Sequence, residues 1–137
     1  MKEAILVDRK VTRLRDAFNA EEVTTGPGII DLCLTCGSCA GGCSVTGVDG
    51  WDIRKVVRAA VLGLDDEVIN SKFVWVCTLC GRCEHACPMH IDLVRLVRTA
   101  RALRPRDDVP GVLHKGVAQC LKSGNNVGIP KDDFLML

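Results

Sequence analysis

The spacing of the cysteines constrains this chain more than any other feature of its sequence. Eight of the nine cysteines form two copies of one run, Cys-x2-Cys-x2-Cys-x3-Cys, and Pro88 follows the second copy. The runs are Cys33, Cys36, Cys39 and Cys43, then Cys77, Cys80, Cys83 and Cys87. This run, ending in Cys-Pro, is typical of chains that hold a [4Fe–4S] cluster. Two copies therefore predict two cubane clusters close together, which is the arrangement of an electron relay.

The composition favours metal ligation over disulfide bonding. The sequence begins MKEAILVDRK, which has no apolar stretch long enough for a secretion signal. Nine cysteines without such a signal indicate a reducing compartment, where thiols stay available for metal. We therefore expect a cytoplasmic protein, and the lack of an apolar run of about 18 residues predicts no membrane-spanning helix.

The formal net charge of +1 argues against nucleic acid as a partner. An oxidised [4Fe–4S] core with four thiolates adds about −2, so two loaded sites would bring the chain to about −3. No strongly basic region supports nucleic-acid binding. The sequence also has no nucleotide-binding glycine loop, no nucleophile beside a base and no flavin site, so we expect no catalytic site in this chain.

Helical periodicity follows each cysteine run and predicts an all-α fold. Asp52 and Asp92 are candidate N-caps, and Pro105 is expected to stop the second helix. The segment Asp52–Ala60 aligns with Asp92–Ala100 at an offset of 40 residues, and the cysteines repeat at an offset of 44. This pattern indicates an internal duplication of a cysteine loop followed by a helix.

Three segments are predicted along the chain. Residues 1–28 should hold an amphipathic helix, from the apolar spacing over Val7–Phe18, and a linker. Residues 29–105 are the predicted dicluster α-helical domain. Residues 106–137 should hold a short helix around Val112–Leu121 and an extended tail whose apolar end lies against a partner subunit.

In two-cluster proteins with this run, the fourth cysteine of each run ligates the other cluster. One predicted site is therefore formed by Cys33, Cys36, Cys39 and Cys87. The other is formed by Cys77, Cys80, Cys83 and Cys43. Ser44 stands where proline follows the fourth cysteine of the other run, which relaxes that turn but removes no ligand.

Other interpretations of the metal-binding residues are weaker. Structural zinc sites use two Cys-x2-Cys pairs separated by a longer loop, and three cysteines at successive two-residue gaps suit them poorly. Cys120 lies outside both runs and is expected to be a small buried residue, with a thiol at a docking surface as the alternative. We expect His85 and His90, which flank Cys87, to lie beside the clusters or on the surface rather than to act as ligands.

A row of arginines recurs every third residue in the second predicted helix, at Arg95, Arg98, Arg101 and Arg104. A solvated face is the expected role. A docking patch for an acidic partner, or compensation of cluster charge, is the alternative.

The segment Leu32–Ser44 and the two runs separated by helices resemble the α-helical ferredoxin domain, and most of all the C subunit of heterodisulfide reductases. This resemblance covers about residues 10–105. It implies an iron–sulfur subunit that relays electrons between a flavin/iron–sulfur subunit and a CCG-domain catalytic subunit, in anaerobic metabolism. The segment Gly124–Pro130 resembles the joint to a CCG domain in fused relatives, which implies a separate CCG-domain subunit here.

Two alternative functions stay open at this level. The same domain occurs in iron–sulfur subunits of succinate, glycolate and glycerol-3-phosphate oxidising enzymes, so the relay could serve a hydroxy-acid or succinate-type dehydrogenase. A non-redox module, in which the clusters only hold the fold or sense oxygen, belongs to a different class of function.

Overall fold

The computed structural model describes residues 13–20 and 29–134. The chain divides into two compact units, Met1–Arg104 and Pro105–Leu137. The predicted N-terminal helix is present as α1, Arg13–Ala20, while the earlier part of that prediction, including Val7, lies outside the described residues.

The first unit is built from helices, and the described residues contain no β-strand, which confirms the predicted all-α class. The helices after α1 are α2 (Ser38–Gly41), α3 (Ile53–Val61), α4 (Asp65–Asn70), α5 (Phe73–Val76), α6 (Arg82–His85) and α7 (Leu93–Ala102). Short 3-10 turns occur at Ile29–Leu32 and Val48–Gly50.

The duplication seen in the sequence is repeated in the backbone. The short helices α2 and α6 occupy equivalent places in the two cysteine loops, and the longer helices α3 and α7 follow them. Thr35 and Leu79 are equivalent, with φ of 55° and 56°, and so are Gly37 and Gly81, with φ of 85° and 77°. Each loop thus makes the same pair of left-handed turns before its short helix begins.

Both predicted N-caps are confirmed. The Asp52 carboxylate accepts from the amide of Lys55 at 2.8 Å, and that of Asp92 accepts from the amide of Arg95 at 2.8 Å. Each bond satisfies one of the orphan amides of a helix N-terminus. At the other end of α3, Gly63 adopts a φ of 74°, the left-handed conformation that closes helices.

The core of this unit is formed by α1, α3, α4, α5 and α7; α1 and α4 each pack against both α3 and α7, and α5 packs against α4 and α7. Its fully buried side chains come from every one of these helices and include Phe18, Val56, Val57, Val68, Phe73, Leu93, Leu96 and Val97. The half-buried cysteines of both runs pack against the same cluster. The core therefore positions the two cysteine loops.

Helix α1 is attached to α4 and α7 by three kinds of contact. The amide of Leu14 donates to the Asp65 carboxylate at 3.0 Å, so the first residue of α4 holds the start of α1. Leu14 and Phe18, one turn apart, are fully buried. At the surface, Arg13 pairs with Asp66 at 2.8 Å.

Arg101 of α7 binds backbone carbonyls at the C-terminal end of α5. Arg101 donates from Nε to the carbonyl of Val74 and from Nη2 to the carbonyl of Cys77, both at 2.6 Å. Carbonyls at the end of a helix have no partner within it, and the helix dipole favours a cation there. The Arg101 guanidinium also lies 5.4 Å from the centre of the Trp75 ring.

The prediction that the arginine row faces solvent is wrong for three of its four members. Arg95 is only 7% exposed, and its guanidinium lies 4.0 Å from the centre of the Phe18 ring. Arg104, like Arg101, binds two backbone carbonyls, here at the end of α4. Arg98 is exposed as expected. A three-residue repeat drifts round a helix, so its members meet different neighbours.

The second unit contains a 3-10 turn at Arg106–Asp108, the helix α8 (Gly111–Ser123) and the short helix α9 (Lys131–Phe134). Asn125, 5% exposed, organises the loop between the helices. Its Oδ1 accepts from the amides of Val127, Gly128 and Ile129 at 3.1, 2.7 and 3.1 Å. Its Nδ2 donates to the Ile129 carbonyl at 2.6 Å.

Two predictions about this unit are corrected by the structure. The predicted helix around Val112–Leu121 is present, but the tail after it is not extended throughout, because Lys131–Phe134 forms α9. The tail beyond residue 134 lies outside the described residues. Cys120 is exposed rather than buried, since α8 has no buried residue along its length.

Candidate functional site: two cysteine-lined cavities

One cavity is lined by the first three cysteines of the first run and the last cysteine of the second run. These are Cys33, Cys36, Cys39 and Cys87. The remaining wall is mostly apolar, with Val57 from α3 and Ile91 and Leu93 near the start of α7. The structure therefore brings together the four residues predicted for the first site.

The second cavity has the complementary composition. It is lined by Cys77, Cys80, Cys83 and Cys43. Its apolar wall includes Ile53, Phe73 and Leu93. Leu93 lines both cavities, so the two cysteine groups are neighbours across the start of α7. Ser44 lies on the wall of this cavity, where Pro88 lines the other.

The backbone conformation of the two cysteine loops suits the binding of an anionic group whose sulfur atoms face the loop. Left-handed residues in tight turns, here Thr35, Gly37, Leu79 and Gly81, are characteristic of backbone nests that turn successive amides toward an anion. Such nests occur at many iron–sulfur sites. A left-handed threonine and leucine are strained relative to glycine, so the surrounding loop must fix them.

Six cysteines of the two runs are half-buried, and for three of them burial raises the pKa of the thiol. It raises the pKa of Cys39 and Cys77, and it raises the pKa of Cys83 to about 12, with the nearby Glu84 carboxylate as a second cause. A thiolate in such a place needs a cation. A metal bound by these cysteines would therefore displace their protons.

The second cysteine of each run is exposed instead, and hydrogen bonds lower its pKa. For Cys36 the main cause is the Ser38 hydroxyl, whose oxygen lies 3.4 Å from Sγ. For Cys80 the main cause is the amide of Arg82, followed by the Thr78 hydroxyl. The exposed cysteine of each cavity thus loses its proton more readily than an ordinary thiol.

The donor set fits an iron–sulfur cluster. Among the described residues, no three His, Cys, Asp or Glu side chains are placed to hold a single metal ion. Four sulfurs round one zinc ion, at Zn–S bonds of about 2.3 Å, would lie about 3.8 Å apart. The cysteines here are spread round a cavity instead, which suits a group of several metal atoms better than one ion.

The two predicted non-ligand histidines lie apart from the cysteine cavities. His85 and His90 line an open pocket on the surface with Glu84 and Asp92. A further residue of the first cavity, Arg54, is not predicted from the sequence, yet it lines that cavity and packs against Gly37. The sequence does not reveal that Arg54 lines the cavity, because a charged residue in a helix is ordinarily exposed to solvent.

Comparison with known proteins places these cavities in a known domain. Residues 28–91 match the family model described as a 4Fe-4S dicluster domain. The chain is 30% identical over 120 residues to the C subunit of the H(2):CoB-CoM heterodisulfide,ferredoxin reductase of Methanothermobacter thermautotrophicus, covering 87% of this chain and 64% of the relative. It is 34% identical over 113 residues to the iron–sulfur C subunit of the CoB–CoM heterodisulfide reductase of Methanopyrus kandleri, covering 82% and 57%.

A third relative is the second iron–sulfur C subunit of CoB–CoM heterodisulfide reductase in Methanocaldococcus jannaschii. It is 33% identical over 108 residues, covering 77% of this chain and 58% of the relative. The chain therefore spans about three fifths of the length of these curated relatives. Within the described part of the chain, no helix is long and apolar enough to cross a membrane.

The helical fold and the cysteine-lined cavities define an iron–sulfur protein of the α-helical 4Fe-4S dicluster class. Within that class, the chain is similar over most of its length to the C subunits of heterodisulfide reductases. The similarities support an iron–sulfur electron-transfer subunit.

Proposed function

We propose that this chain is an electron-transfer subunit that holds two [4Fe–4S] clusters with crossed ligands. Cys33, Cys36, Cys39 and Cys87 would hold one cluster. Cys77, Cys80, Cys83 and Cys43 would hold the other. One observation carries the proposal: each cavity is lined by three cysteines of one run and the last cysteine of the other. That division agrees with the ligand exchange of two-cluster proteins.

Each bound cluster would supply a one-electron redox couple. The chain's own residues would set its surroundings: the apolar walls limit solvent access, and the left-handed turns direct backbone amides toward the sulfur atoms. Leu93, on the wall of both cavities, would keep the two groups adjacent. Four thiolates leave a cluster closed to substrate, so the chemical reaction belongs to another subunit.

The names of the relatives suggest which complex this is. We propose a cytoplasmic heterodisulfide reductase-like complex, in which this chain connects a flavin/iron–sulfur subunit with a CCG-domain catalytic subunit. The relatives are named as C subunits of such reductases, which supports membership of a multi-subunit assembly.

Anaerobic reconstitution with iron and sulfide tests the cluster proposal. About eight iron and eight sulfide per chain are expected, with an EPR signal after reduction that belongs to [4Fe–4S] centres. Zinc in place of iron, or a chain that stays without an iron-dependent signal, would refute it.

Purification of the native complex tests the proposed assembly. A tagged chain should co-purify with a flavin/iron–sulfur protein and a CCG-domain protein. Recovery of a flavin dehydrogenase without any CCG-domain protein would instead assign the relay to a hydroxy-acid or succinate-type enzyme. A chain with intact clusters and no redox partner would favour the non-redox alternative.

A further inference from the structure

An open groove of about 650 Å³ runs along α3, next to the first cysteine loop. Apolar side chains line part of it: Trp51, Ala59, Leu62 and Leu64. Three cationic side chains also line it: Arg54, Lys55 and Arg58. Thr35 and Arg54 line both this groove and the first cysteine cavity. A molecule in the groove would therefore lie directly beside the first proposed cluster.

The equivalent face of the duplicated helix is already covered. Lys55 and Ala59 of α3 correspond to Arg95 and Thr99 of α7, at the repeat offset of 40 residues. Arg95 and Thr99 are 7% and 6% exposed, and the Phe18 ring of α1 lies on the Arg95 guanidinium. Ala59, at 7% exposed, is as buried as Thr99. The two halves therefore differ at the preceding turn: α1 covers Arg95, whereas Lys55 is left exposed.

The charges of the groove indicate what kind of helix would fit. Arg54, Lys55 and Arg58 are all exposed. Of the acidic residues that line the groove, Asp52 is engaged as the N-cap of α3, and Glu67 belongs to α4. The positive end of the α3 dipole adds to the cationic side. Carboxylates on the occupant would complement this surface.

The chain's own exposed helix does not supply that complement. Helix α8 has exposed apolar residues, but its charged residues are basic, Lys115 and Lys122, and it contains no Asp or Glu. A second copy of the chain docking through α8 would therefore bring like charges together.

We propose that this groove binds an acidic amphipathic helix of the redox partner with which the chain exchanges electrons. The inference rests on the proposed relay function and adds to it the place of docking: electrons would enter or leave through the first site, held by Cys33, Cys36, Cys39 and Cys87. Apolar residues of the partner helix would cover Trp51 and Leu62, and its carboxylates would face Arg54, Lys55 and Arg58.

Carbodiimide cross-linking of the purified native complex tests the docking directly, because it joins a lysine to a neighbouring carboxylate. We expect Lys55 to be linked to an Asp or Glu on a helix of a flavin or iron–sulfur partner. We also expect slower amide hydrogen exchange over residues 51–62 in the complex than in the free chain. Cross-links only to a second copy of this chain, or unchanged exchange over residues 51–62, would overturn the proposal.

A charge-reversal pair supplies a matched control. Arg58 and Arg98 are exposed and equivalent in the repeat, but only Arg58 lines the groove. Arg58→Glu should weaken binding of the purified partner at least about tenfold, and Arg98→Glu should leave it within about twofold. Equal weakening by both variants, or by neither, would contradict docking in the groove.

Iron content and EPR of the same samples separate this inference from the proposed function. Clusters that stay intact while Arg58→Glu binds the partner normally would refute the groove alone. A wild-type chain without [4Fe–4S] clusters would refute the proposed function, whatever Lys55 contacts.

Discussion

The carbonyl oxygen of Cys77 accepts a 2.6 Å hydrogen bond from Nη2 of Arg101. Arg101 thereby fixes the first cysteine of the second run from a helix that begins only after the run has ended. Its Nε binds the Val74 carbonyl in the preceding helix as well. Burial lowers the pKa of Arg101, with the Cys77 thiol acting in the opposite direction. The Arg101 side chain therefore connects α7 with the end of α5 and with the second cysteine loop.

Replacing Arg101 by leucine should destabilise the fold, because two backbone carbonyls would lose a charged donor. Hydrogen bonds to charged groups contribute about 1.5–3 kcal/mol each, so losing both should cost about 3–6 kcal/mol of unfolding free energy. Anaerobic thermal unfolding of the reconstituted protein measures it. Arg98→Leu, at an exposed position of the same helix, is the control and should change stability by less than about 0.5 kcal/mol. Equal effects of the two variants would show that the Arg101 bonds contribute nothing.

Removing the Asp52 cap and removing the Asp92 cap should lower the free energy of unfolding by different amounts. Removing Asp52 leaves the start of α3 without its side-chain acceptor, and Asp52→Ala should cost about 0.5–2 kcal/mol. At α7 the carboxylate of Glu84 also accepts from the amide of Val94, at 2.6 Å, so Asp92→Ala leaves one acceptor in place. Asp92→Ala is therefore expected to be the milder variant in the same unfolding assay. A larger loss for Asp92→Ala would contradict the role assigned to Glu84.

Asp65 should make stability depend on pH. Burial raises the pKa of this carboxyl above its ordinary value, and the amide of Leu14 only partly offsets the effect. Because the folded state binds the proton more tightly than the unfolded state, this group favours folding at low pH, and that contribution is lost as pH rises through the folded pKa. Asp65→Asn can still accept from Leu14 through its amide oxygen but carries no charge to bury.

Anaerobic melting temperatures from about pH 4, the ordinary pKa of an Asp carboxyl, up to about pH 8 test this reasoning. The difference between Asp65→Asn and the wild type should shift in favour of the variant as pH rises. Asp66→Asn, which changes an exposed neighbour paired with Arg13, is the matched control, and an equal trend in both variants would show that the effect does not belong to Asp65. A difference that stays constant across this range would mean that Asp65 does not titrate in it.

The sequence predicts the parts of the fold that depend on local patterns. Asp52 and Asp92 precede apolar helical periodicity, so their capping role follows from short-range rules. The grouping of Cys43 with the second run and Cys87 with the first was also predictable, but only from the known behaviour of this cysteine spacing.

Features that depend on tertiary contacts could not be predicted in this way. Thr35 and Leu79 have left-handed backbones, yet neither is a residue type that signals one. Nothing in the local sequence distinguishes Arg101 from the exposed Arg98. Arg101 differs only because α5 lies where the arginine can bind the Val74 carbonyl. Cys120 was predicted to be buried because cysteine usually is, and its exposure depends on what lies beside α8.

The C-terminal tail should matter for assembly rather than for the clusters. No predicted ligand lies beyond Cys87, so deleting residues 131–137 should leave iron content and EPR unchanged. The apolar tail residues are proposed to anchor a partner, and apolar anchors at interfaces contribute about 1–3 kcal/mol each. Partner binding should therefore fall while the clusters persist. Loss of the clusters with binding intact would place the tail in the domain core instead.

Iron analysis in a chain that keeps only one site tests the crossed ligand assignment most directly. Replacing Cys33, Cys36 and Cys39 by alanine should leave about four iron per chain, held by the second site. Adding Cys87→Ala to this background should leave the iron content unchanged, while adding Cys43→Ala should abolish the four-iron site. The reverse result, in which Cys87→Ala removes the iron and Cys43→Ala does not, would contradict the account.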